Sequence, residues 1–349
     1  MRGVRPPVPK FHTVTIDQTG ASFAMPADQY VLDAALDAGI GYPRYCKTGV
    51  CGSCKSILVA GTIDHDGHTQ VACSDEERDL GRFLACRARP TSDCTVALIP
   101  RDVVPRFTNV AREFRCRVAA IAPATHDVVI VELAIVAGGP FVFTAGQYAR
   151  VAFDGLDVRD LSMANRPGDP TLEFHIRCLP GSDIAAFVEH KLRVGTSATV
   201  KGPYGNAFFR EYHGTEIVAV AGGTGIAPIK SIVDMALTAG VRQPLELYFG
   251  VRAERDIYLE DHFRGLAAKF PNFKFTLALS EAKTGKSRRT GLVSDALAAD
   301  LAPGRNVRVY IAGPPPMVEA TAKVLEKAGV RRKNWFADYF DHKRATTSA

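Results

Sequence analysis

The chain has 349 residues, of which 46% are hydrophobic and 23% are charged, and its formal net charge is +6 at pH 7. This length exceeds one ordinary domain, and the composition excludes a disordered or fibrous chain. The N-terminal segment MRGVRPPVPK lacks the apolar stretch of a signal peptide. No run of about 18 apolar residues occurs that would span a membrane. We therefore expect a cytoplasmic protein of two or three domains.

Charge is distributed unevenly along the chain. Acidic residues outnumber basic ones over residues 11–100, and basic residues outnumber acidic ones over residues 101–349. One interpretation is an ordinary solvated surface; the other is an acidic electron-carrying module that docks on a basic module. The basic residues are not clustered with aromatic ones, so the sequence does not predict nucleic-acid binding.

Residues 10–100 are predicted to form the first domain. Alternating apolar residues predict a strand at Phe11–Ile16, helical spacing predicts a helix over 31–39, and residues 56–61 are typical of another strand. The order of hairpin, helix, cysteine-containing loop and strand resembles the β-grasp fold of plant-type ferredoxins. Residues 101–112, which contain Pro105, are predicted to be a linker.

Four of the eight cysteines follow the pattern C-x4-C-x2-C with a distant fourth member: Cys46, Cys51, Cys54 and Cys86. This is the ligand spacing of a plant-type [2Fe–2S] cluster, which transfers one electron at a time. Glycines among the cysteines let backbone N–H groups approach the cluster sulfides. A zinc site or unrelated buried thiols are the alternatives. Zinc usually joins C-x2-C to a second such pair or to histidines.

In the rest of the chain, the predicted secondary structure changes at about residue 213. Residues 113–212 contain short β-type runs separated by Gly and Pro, which predicts an antiparallel β-barrel. Residues 213–340 alternate continuous apolar runs, such as 216–221 and 307–312, with helical segments. Such strands are buried on both faces, so a doubly wound parallel sheet is expected. Residues 341–349 are predicted to be a flexible tail.

A glycine-rich loop follows the first apolar run of this last segment: Gly222, Gly223, Thr224 and Gly225. Glycines at this point let backbone amides approach a pyrophosphate, and the helix predicted over 228–239 adds a favourable dipole. The loop does not match G-x-G-x-x-G. Its position between a strand and a helix is the feature that favours a nucleotide site.

Two further motifs are suited to cofactor binding. Gly313, Pro314 and Met317 belong to the run GPPPM, which would end a strand at the carboxyl edge of the sheet, where ligands bind in open α/β folds. A plain strand-to-helix turn is the alternative. In the barrel segment, Arg159 offers a guanidinium for a phosphate, and Ser162 offers a hydroxyl that can bond a flavin ring nitrogen.

These motifs occur in one order along nearly the whole chain: the four cysteines, Arg-x-x-Ser, GGTGIAP and GPPPM. The chain thereby resembles the reductase components of bacterial ring-hydroxylating dioxygenase systems of the naphthalene dioxygenase type. These belong to the ferredoxin–NADP⁺ reductase superfamily. The resemblance implies a ferredoxin domain, an FAD domain and an NAD domain, with electrons passing from NADH to FAD, to the [2Fe–2S] cluster, and on to a Rieske ferredoxin or oxygenase component in aromatic hydrocarbon catabolism. We expect a monomer that binds neither nucleic acid nor membranes.

The resemblance also implies flavin-site residues. Arg159 would pair with the flavin pyrophosphate, Leu161 would cover the isoalloxazine, and Ser162 would lie near flavin N5, so Arg159 and Ser162 are the expected catalytic residues. The rest of the flavin phosphate site would be formed by Arg177, Gly181 and Ser182. The family usually has Tyr at the position of Leu161, and a Ser or Thr is replaced around Ile184 and Ala185.

The nucleotide residues implied by the resemblance lie in the last segment. Gly222, Gly223, Thr224 and Gly225 would bind the dinucleotide phosphates, and Gly313, Pro314 and Met317 would flank the nicotinamide. Ala312 stands where the family usually has Cys. Phe340 or Tyr339 would shelter the flavin face, unless it is a core aromatic residue.

The nucleotide preference depends on the residues after the third parallel strand. Glu281 favours NADH, because a free ribose 2′-hydroxyl tolerates an acid whereas a 2′-phosphate requires Arg or Lys. NADPH remains possible because basic residues follow, namely Lys283, Lys286, Arg288 and Arg289. Two functional alternatives stay open. One is the reductase of a di-iron monooxygenase or sugar-deoxygenation system; the other is a non-enzymatic redox sensor.

Overall fold

The computed structural model describes residues 10–43, 49, 54–66, 73, 75–99, 111–205, 207–210, 214–281 and 288–340. The chain divides into two compact units, Met1–Ala111 and Arg112–Ala349. The finer domain limits given above remain predictions. Among the described residues, no helix is both long enough and apolar enough to cross a bilayer.

The first unit contains a five-stranded mixed sheet. Its elements are β1 (Phe11–Ile16), β2 (Ser22–Pro26), α1 (Val31–Asp37), β3 (Lys55–Ala60), β4 (Ile63–His65), α2 (Asp75–Asp79), β5 (Arg82–Leu84), β6 (Ala88–Pro90) and β7 (Cys94–Leu98). The sheet order is β2-β1-β7-β3-β5, with β1 and β7 parallel and the other neighbours antiparallel. Strands β4 and β6 form a separate pair.

Helix α1 places its apolar face against this sheet. Val31 and Ala35 are fully buried, and the helix contacts β2 and the 3₁₀ turn Ala85–Arg87. Gly39, with φ of +76°, adopts the left-handed conformation that ends the helix, and the next N–H, of Ile40, donates to the Ala35 carbonyl at 2.8 Å. The packing of α1 therefore helps to fix the turn that contains Cys86.

The second unit begins with an antiparallel sheet. Its elements are β8 (Arg112–Pro123), β9 (Val128–Ala137), β10 (Tyr148–Phe153), β11 (Arg159–Ser162), β12 (Thr171–Arg177), α3 (Asp183–His190) and β13 (Ser197–Tyr204). The strand order is β11-β10-β13-β8-β9-β12. An antiparallel bridge between Met163 and Phe174 joins the two ends of this order, so the sheet closes nearly into the predicted barrel.

A six-stranded parallel sheet follows. Its elements are β14 (Glu216–Gly222), α4 (Ile226–Thr238), β15 (Leu245–Val251), α5 (Glu260–Lys269), β16 (Phe273–Leu279), β17 (Arg289–Thr290), α6 (Val293–Asp300), β18 (Val307–Gly313), α7 (Pro315–Lys327) and β19 (Trp335–Tyr339). The order is β17-β16-β15-β14-β18-β19. Six of the seven residues of β14 are buried, as expected of a strand covered by helices on both faces. The predicted fold class is confirmed.

The order of this sheet explains where a ligand can bind. Strand β14 has β15 on one side and β18 on the other, so the connections from these central strands diverge. In open α/β sheets, ligands bind at the carboxyl ends of the strands where the order reverses. The glycine-rich loop after β14 and the proline-rich turn after β18 both lie at this edge.

Candidate functional site

Strand β11 carries the residues predicted to bind a flavin. It pairs with β10 so that Ser162 faces Tyr148 and Arg159 faces Val151. Ser162 is buried, and Leu161 packs partly buried against the barrel core. The predicted contact of Leu161 with the flavin ring remains a prediction.

One nitrogen of the Arg159 guanidinium, Nε, is buried and has no hydrogen-bond partner among the described residues. A buried donor without a partner costs free energy, so such groups are normally satisfied. Burial raises the pKa of the neighbouring Cys178 thiol, and the charge of Arg159 opposes that rise. A half-buried guanidinium whose buried Nε–H has no partner among the described residues fits the pyrophosphate of FAD.

A second unpaired donor lies beside β11. The Nε2 of Gln147 is buried and has no hydrogen-bond partner among the described residues. Its Oε1 accepts from the N–H of Thr144 at 2.7 Å, and its carbonyl accepts from the N–H of Met163 at 3.1 Å. The side-chain amide is thus held by Thr144, and its NH2 group has no hydrogen-bond partner among the described residues. Gln147 was not singled out from the sequence.

Gly181 and Ser182 form the N-terminus of helix α3. The Ser182 hydroxyl donates to the carbonyl of Leu179 at 2.6 Å and accepts from the N–H of Ala185 at 3.3 Å. Ser182 is therefore the N-cap of α3, which is a structural role in its own right. The binding of flavin phosphate by these two residues remains a prediction.

Arg177, at the end of β12, faces the glycine-rich loop. Its Nε donates to Oδ2 of Asp127 at 2.9 Å, and its Nη1 lies 3.8 Å from where a Cβ of Gly223 would be. Burial alone would raise the pKa of Asp127, but the charge and hydrogen bond of Arg177, the Thr125 hydroxyl and His126 together hold the pKa below its usual value. The structure thus places Arg177 in the wall of the nucleotide cavity. Its predicted part in the flavin site is untested.

A cavity of about 200 Å³ lies at the carboxyl edge of the parallel sheet. Its wall includes several residues that the sequence predicted: Gly222, Gly223, Thr224, Pro314, Met317 and Arg177. It also includes residues that the sequence did not single out: Asp127, Gly250, Arg252, Asp256 and Tyr258. Arg252 directly follows β15, and a polar residue at the end of a parallel strand is the signal that could have identified it.

Gly225 and Gly222 lie against neighbouring atoms that leave no room for a side chain. A Cβ on Gly225 would lie 2.1 Å from the Ala312 carbonyl oxygen, and one on Gly222 would lie 2.4 Å from Sδ of Met317. Gly223 adopts φ of +54° and has open space above it apart from Arg177. Among the described residues, only Arg177 approaches a Cβ built on Gly223 within 4 Å, and its guanidinium suits the phosphates of a dinucleotide.

Two of the basic residues near Glu281, Arg288 and Arg289, form ion pairs with carboxylates. Glu281 is exposed, and its N–H donates to the Arg252 carbonyl at 2.9 Å. Arg288 pairs with Glu254 and, at 2.9 Å, with Glu260. Arg289 pairs with a carboxylate of α6 at 2.6 Å. The other two basic residues that the sequence singled out lie outside the described residues: Lys283 and Lys286.

Phe340 lies next to the proline-rich turn. Its N–H donates to the Gly313 carbonyl at 2.9 Å, and its ring is partly buried against the core of the parallel-sheet region. The C-terminal aromatic residue is thereby held at the edge of the sheet where the nicotinamide is expected. Whether it shelters a flavin remains a prediction.

Two of the four predicted cluster ligands can be placed in the first unit. Cys54 and Cys86 are both buried, and the N–H of Cys86 donates to Sγ of Cys54 at 3.5 Å. Pairing of Lys55 with Leu84 between β3 and β5 brings the two cysteines together. An N–H aimed at a cysteine sulfur suits a thiolate ligand. Cys46 and Cys51 lie outside the described residues.

Two family models match the chain. The 2Fe-2S iron-sulfur cluster binding domain matches residues 14–91, and the oxidoreductase NAD-binding domain matches residues 219–323. These ranges coincide with the cysteine-containing unit and with the parallel sheet.

Relatives of nearly full length decide the family. The chain is 39% identical, over 89% of its own length and 93% of the relative's, to the ferredoxin–NAD(P)⁺ reductase component of the naphthalene 1,2-dioxygenase/salicylate 5-hydroxylase systems of Ralstonia sp.. The chain belongs to the family of oxygenase-system reductase components. The reductase component of propane 2-monooxygenase from Mycolicibacterium goodii is 32% identical, over 94% of this chain and 97% of that one. The crystal structure of the Amycolatopsis cytochrome P450 reductase GcoB matches with a TM-score of 0.80 and 31% identity, over 94% and 98% of the two chains.

This reductase component is an NAD(P)H-dependent oxidoreductase with a [2Fe–2S] cluster, FAD and NAD(H) as cofactors. The predicted family, enzyme class and cofactors are confirmed. When bound, FAD accepts two electrons from the nicotinamide and releases them one at a time to the cluster. The reductase passes them to a ferredoxin or oxygenase component. The described residues fit these groups, because the Nε–H of Arg159 has no partner among them and Gly222, Gly223 and Arg177 line a cavity at the edge of the parallel sheet.

Proposed function

We propose that this reductase component serves an aromatic ring-hydroxylating dioxygenase system, in which its cluster reduces a Rieske ferredoxin or the oxygenase itself. The observation that carries the proposal is the 39% identity to the naphthalene 1,2-dioxygenase/salicylate 5-hydroxylase reductase, against 32% for the propane 2-monooxygenase reductase. The second candidate is a monooxygenase system. It is supported by the nearly full-length match to the propane 2-monooxygenase reductase.

The proposed electron donor is NADH. Glu281 is an exposed acid two residues after the end of β16, where the ribose of a dinucleotide is expected. Arg288 and Arg289 are each paired with carboxylates, so neither is poised to bind a 2′-phosphate. Arg252, which lines the cavity and is about half exposed, is better placed for the pyrophosphate.

The proposed roles of the site residues follow from their positions. Arg159 binds the flavin pyrophosphate, and Ser162 contacts the flavin ring nitrogen from the end of β11. Gly222, Gly223 and Thr224 bind the dinucleotide phosphates through backbone N–H groups. We also infer that the protein is a cytoplasmic monomer. Light scattering of the purified 37.7 kDa chain tests the oligomeric state, and cell fractionation tests the location.

The acceptor is tested by stopped-flow mixing. The NADH-reduced reductase is mixed anaerobically with a Rieske ferredoxin from a naphthalene-type system, and separately with the hydroxylase component of a propane 2-monooxygenase. We expect the reductase to reduce the Rieske protein much faster. If the reductase reduced the hydroxylase but not the Rieske protein, the monooxygenase system would be the correct assignment.

A further inference from the structure

Helix α4 connects the nucleotide loop with the loop that follows the flavin strand. The helix begins directly after Gly225, and its sixth residue, Ser231, donates from its hydroxyl to the Asn165 carbonyl at 2.7 Å. The preceding residue, Lys230, donates from Nζ to the Ala164 carbonyl at 3.2 Å. Ala164 and Asn165 follow Ser162 by two and three residues. The first two turns of α4 therefore link the two predicted cofactor-binding segments.

Lys230 is also the centre of a buried charge cluster. Its Nζ lies 3.3 Å from Oε2 of Glu173 and 3.4 Å from Oδ2 of Asp234, and its side chain is only 12% exposed. The backbone of Glu173 binds the same loop, because its carbonyl accepts from the N–H of Ala164 at 2.8 Å and its N–H donates to Oδ1 of Asn165 at 2.9 Å. The ammonium group thus neutralises two acids at the point where β12, the loop and α4 meet.

The cluster extends to the wall of the nucleotide cavity. Nε2 of His175 lies 2.9 Å from Oε1 of Glu173, and Nδ1 lies 3.2 Å from the Tyr258 hydroxyl. A carboxylate can only accept, so Nε2–H donates to Glu173 and Nδ1 accepts from Tyr258. Burial raises the pKa of Tyr258 well above its usual value, so its hydroxyl keeps the proton that this bond needs. Tyr258 lines the cavity itself.

We propose that Lys230 is a positioning residue, which holds the nucleotide loop at a fixed distance from Ser162 and so aligns the nicotinamide with the flavin. The transferred hydride leaves C4 of NADH as NAD⁺ forms and reduces the flavin, and no other reactant is needed. Misplacement by about 1 Å can slow such a step about 100-fold. The inference rests on the reaction between NADH and flavin and is independent of the acceptor proposed above.

The test compares the parent protein with four variants. Lys230→Met removes the charge but keeps the apolar stem, Lys230→Arg keeps the charge, and Ser231→Ala removes one bond to the loop without disturbing the acids. Lys323→Met, at an exposed position of α7, is the matched control. Three equilibrium measurements are made on each: flavin content, affinity for NAD⁺, and the long-wavelength charge-transfer absorbance of NAD⁺ bound to the dithionite-reduced protein. The anaerobic rate of flavin reduction by NADH, and by NADH deuterated at C4, is measured without any acceptor.

For Lys230→Met we expect flavin reduction to slow by about 10- to 100-fold. The charge-transfer absorbance should weaken, and the deuterium isotope effect on the rate of flavin reduction should rise. Flavin content and NAD⁺ affinity should stay unchanged. Lys230→Arg should restore most of the rate, and Ser231→Ala should show a smaller loss of the same kind. A parent-like rate and absorbance in Lys230→Met would overturn the inference, as would a loss that merely follows flavin content. If Lys230→Met does not fold, a parent-like Ser231→Ala would overturn it equally.

Discussion

The carbonyl oxygen of Ala312, near the end of β18, lies only 2.1 Å from the position that a Cβ on Gly225 would take. The glycine-rich loop after β14 therefore packs directly against the backbone of β18, its neighbour in the sheet. Strands β14 and β18 are parallel neighbours, so this contact holds the two turns of the nucleotide cavity together.

Gly225→Ala should destabilise the second unit, since the added methyl group meets backbone atoms that cannot rotate away. Overpacking of this kind costs about 1–3 kcal/mol in the free energy of unfolding. Gly265→Ala is the control: it lies exposed in α5 with open space around it, and should stabilise by about 0.5–1 kcal/mol. Urea unfolding followed by circular dichroism measures both. Equal unfolding midpoints for the two variants would contradict the close approach.

Arg159→Gln should weaken flavin binding while leaving the fold intact. A charge-assisted hydrogen bond is worth about 1.5–3 kcal/mol, so the Kd for FAD should rise about tenfold or more. Titration of the flavin-free protein with FAD measures this. Arg117→Gln is the control because Arg117 is exposed on β8. If both variants bind FAD like the parent, Arg159 does not hold the pyrophosphate.

Cys86→Ser should separate the two halves of the electron path. Loss of this ligand removes the cluster, so NADH-dependent reduction of cytochrome c should be abolished, while reduction of ferricyanide directly from the flavin continues. Cys94→Ser, which replaces another buried thiol of the same unit, should keep both activities and the cluster absorbance. Equal loss of both activities in Cys86→Ser would mean that the cluster is not downstream of the flavin.

Glu281→Arg should shift the preference from NADH towards NADPH, because an added cation can pair with the 2′-phosphate. The ratio of kcat/KM for the two nucleotides measures the change. Arg288→Gln should leave this ratio unaltered, since Arg288 is already bound to Glu254 and Glu260. A ratio that responds to Arg288→Gln and not to Glu281→Arg would show that the ribose lies elsewhere.

The stability of the protein should fall below about pH 6.5 because of His175. Burial lowers the pKa of His175 from its usual 6.5, although Glu173 opposes this. Below pH 6.5 the unfolded chain takes up a proton that the folded protein does not. The free energy of unfolding therefore declines with falling pH by up to about 1.4 kcal/mol per pH unit, and is independent of this group above 6.5. Lys230 also lowers the pKa of His175, whereas Tyr258 contacts it as a neutral hydroxyl.

Thermal unfolding between pH 5.5 and 7.5 measures this dependence. This pH range lies above 4.5, the usual pKa of a glutamate. The pKa of Glu173 is lower still in the folded protein, so the stability that its ionised form contributes is lost only below this range. His175→Gln should make the unfolding temperature less dependent on pH. His190→Gln, at an exposed end of α3, should leave that dependence unchanged. A parent-like slope in His175→Gln would assign the acid sensitivity to other groups.

Much of the site could be predicted from local pattern. Ligand spacing is a property of nearby residues, so Cys46, Cys51 and Cys54 were recognisable without a fold. The apolar runs around Gly222 and Gly313 identified parallel strands, and a parallel sheet gathers its strand ends at one edge. The order of the motifs along the chain then predicted the family.

The sequence by itself thus determined which cofactors this chain can hold, because each cofactor leaves a short signature of spacing or glycine. Only the tertiary structure decided how the signatures meet. Lys230 contacts a loop 66 residues earlier in the chain, and His175 contacts a tyrosine 83 residues later. Such partners depend on how the barrel packs against the parallel sheet, and no local periodicity encodes that packing. Burial then determines which of these polar groups stay charged and which stay neutral.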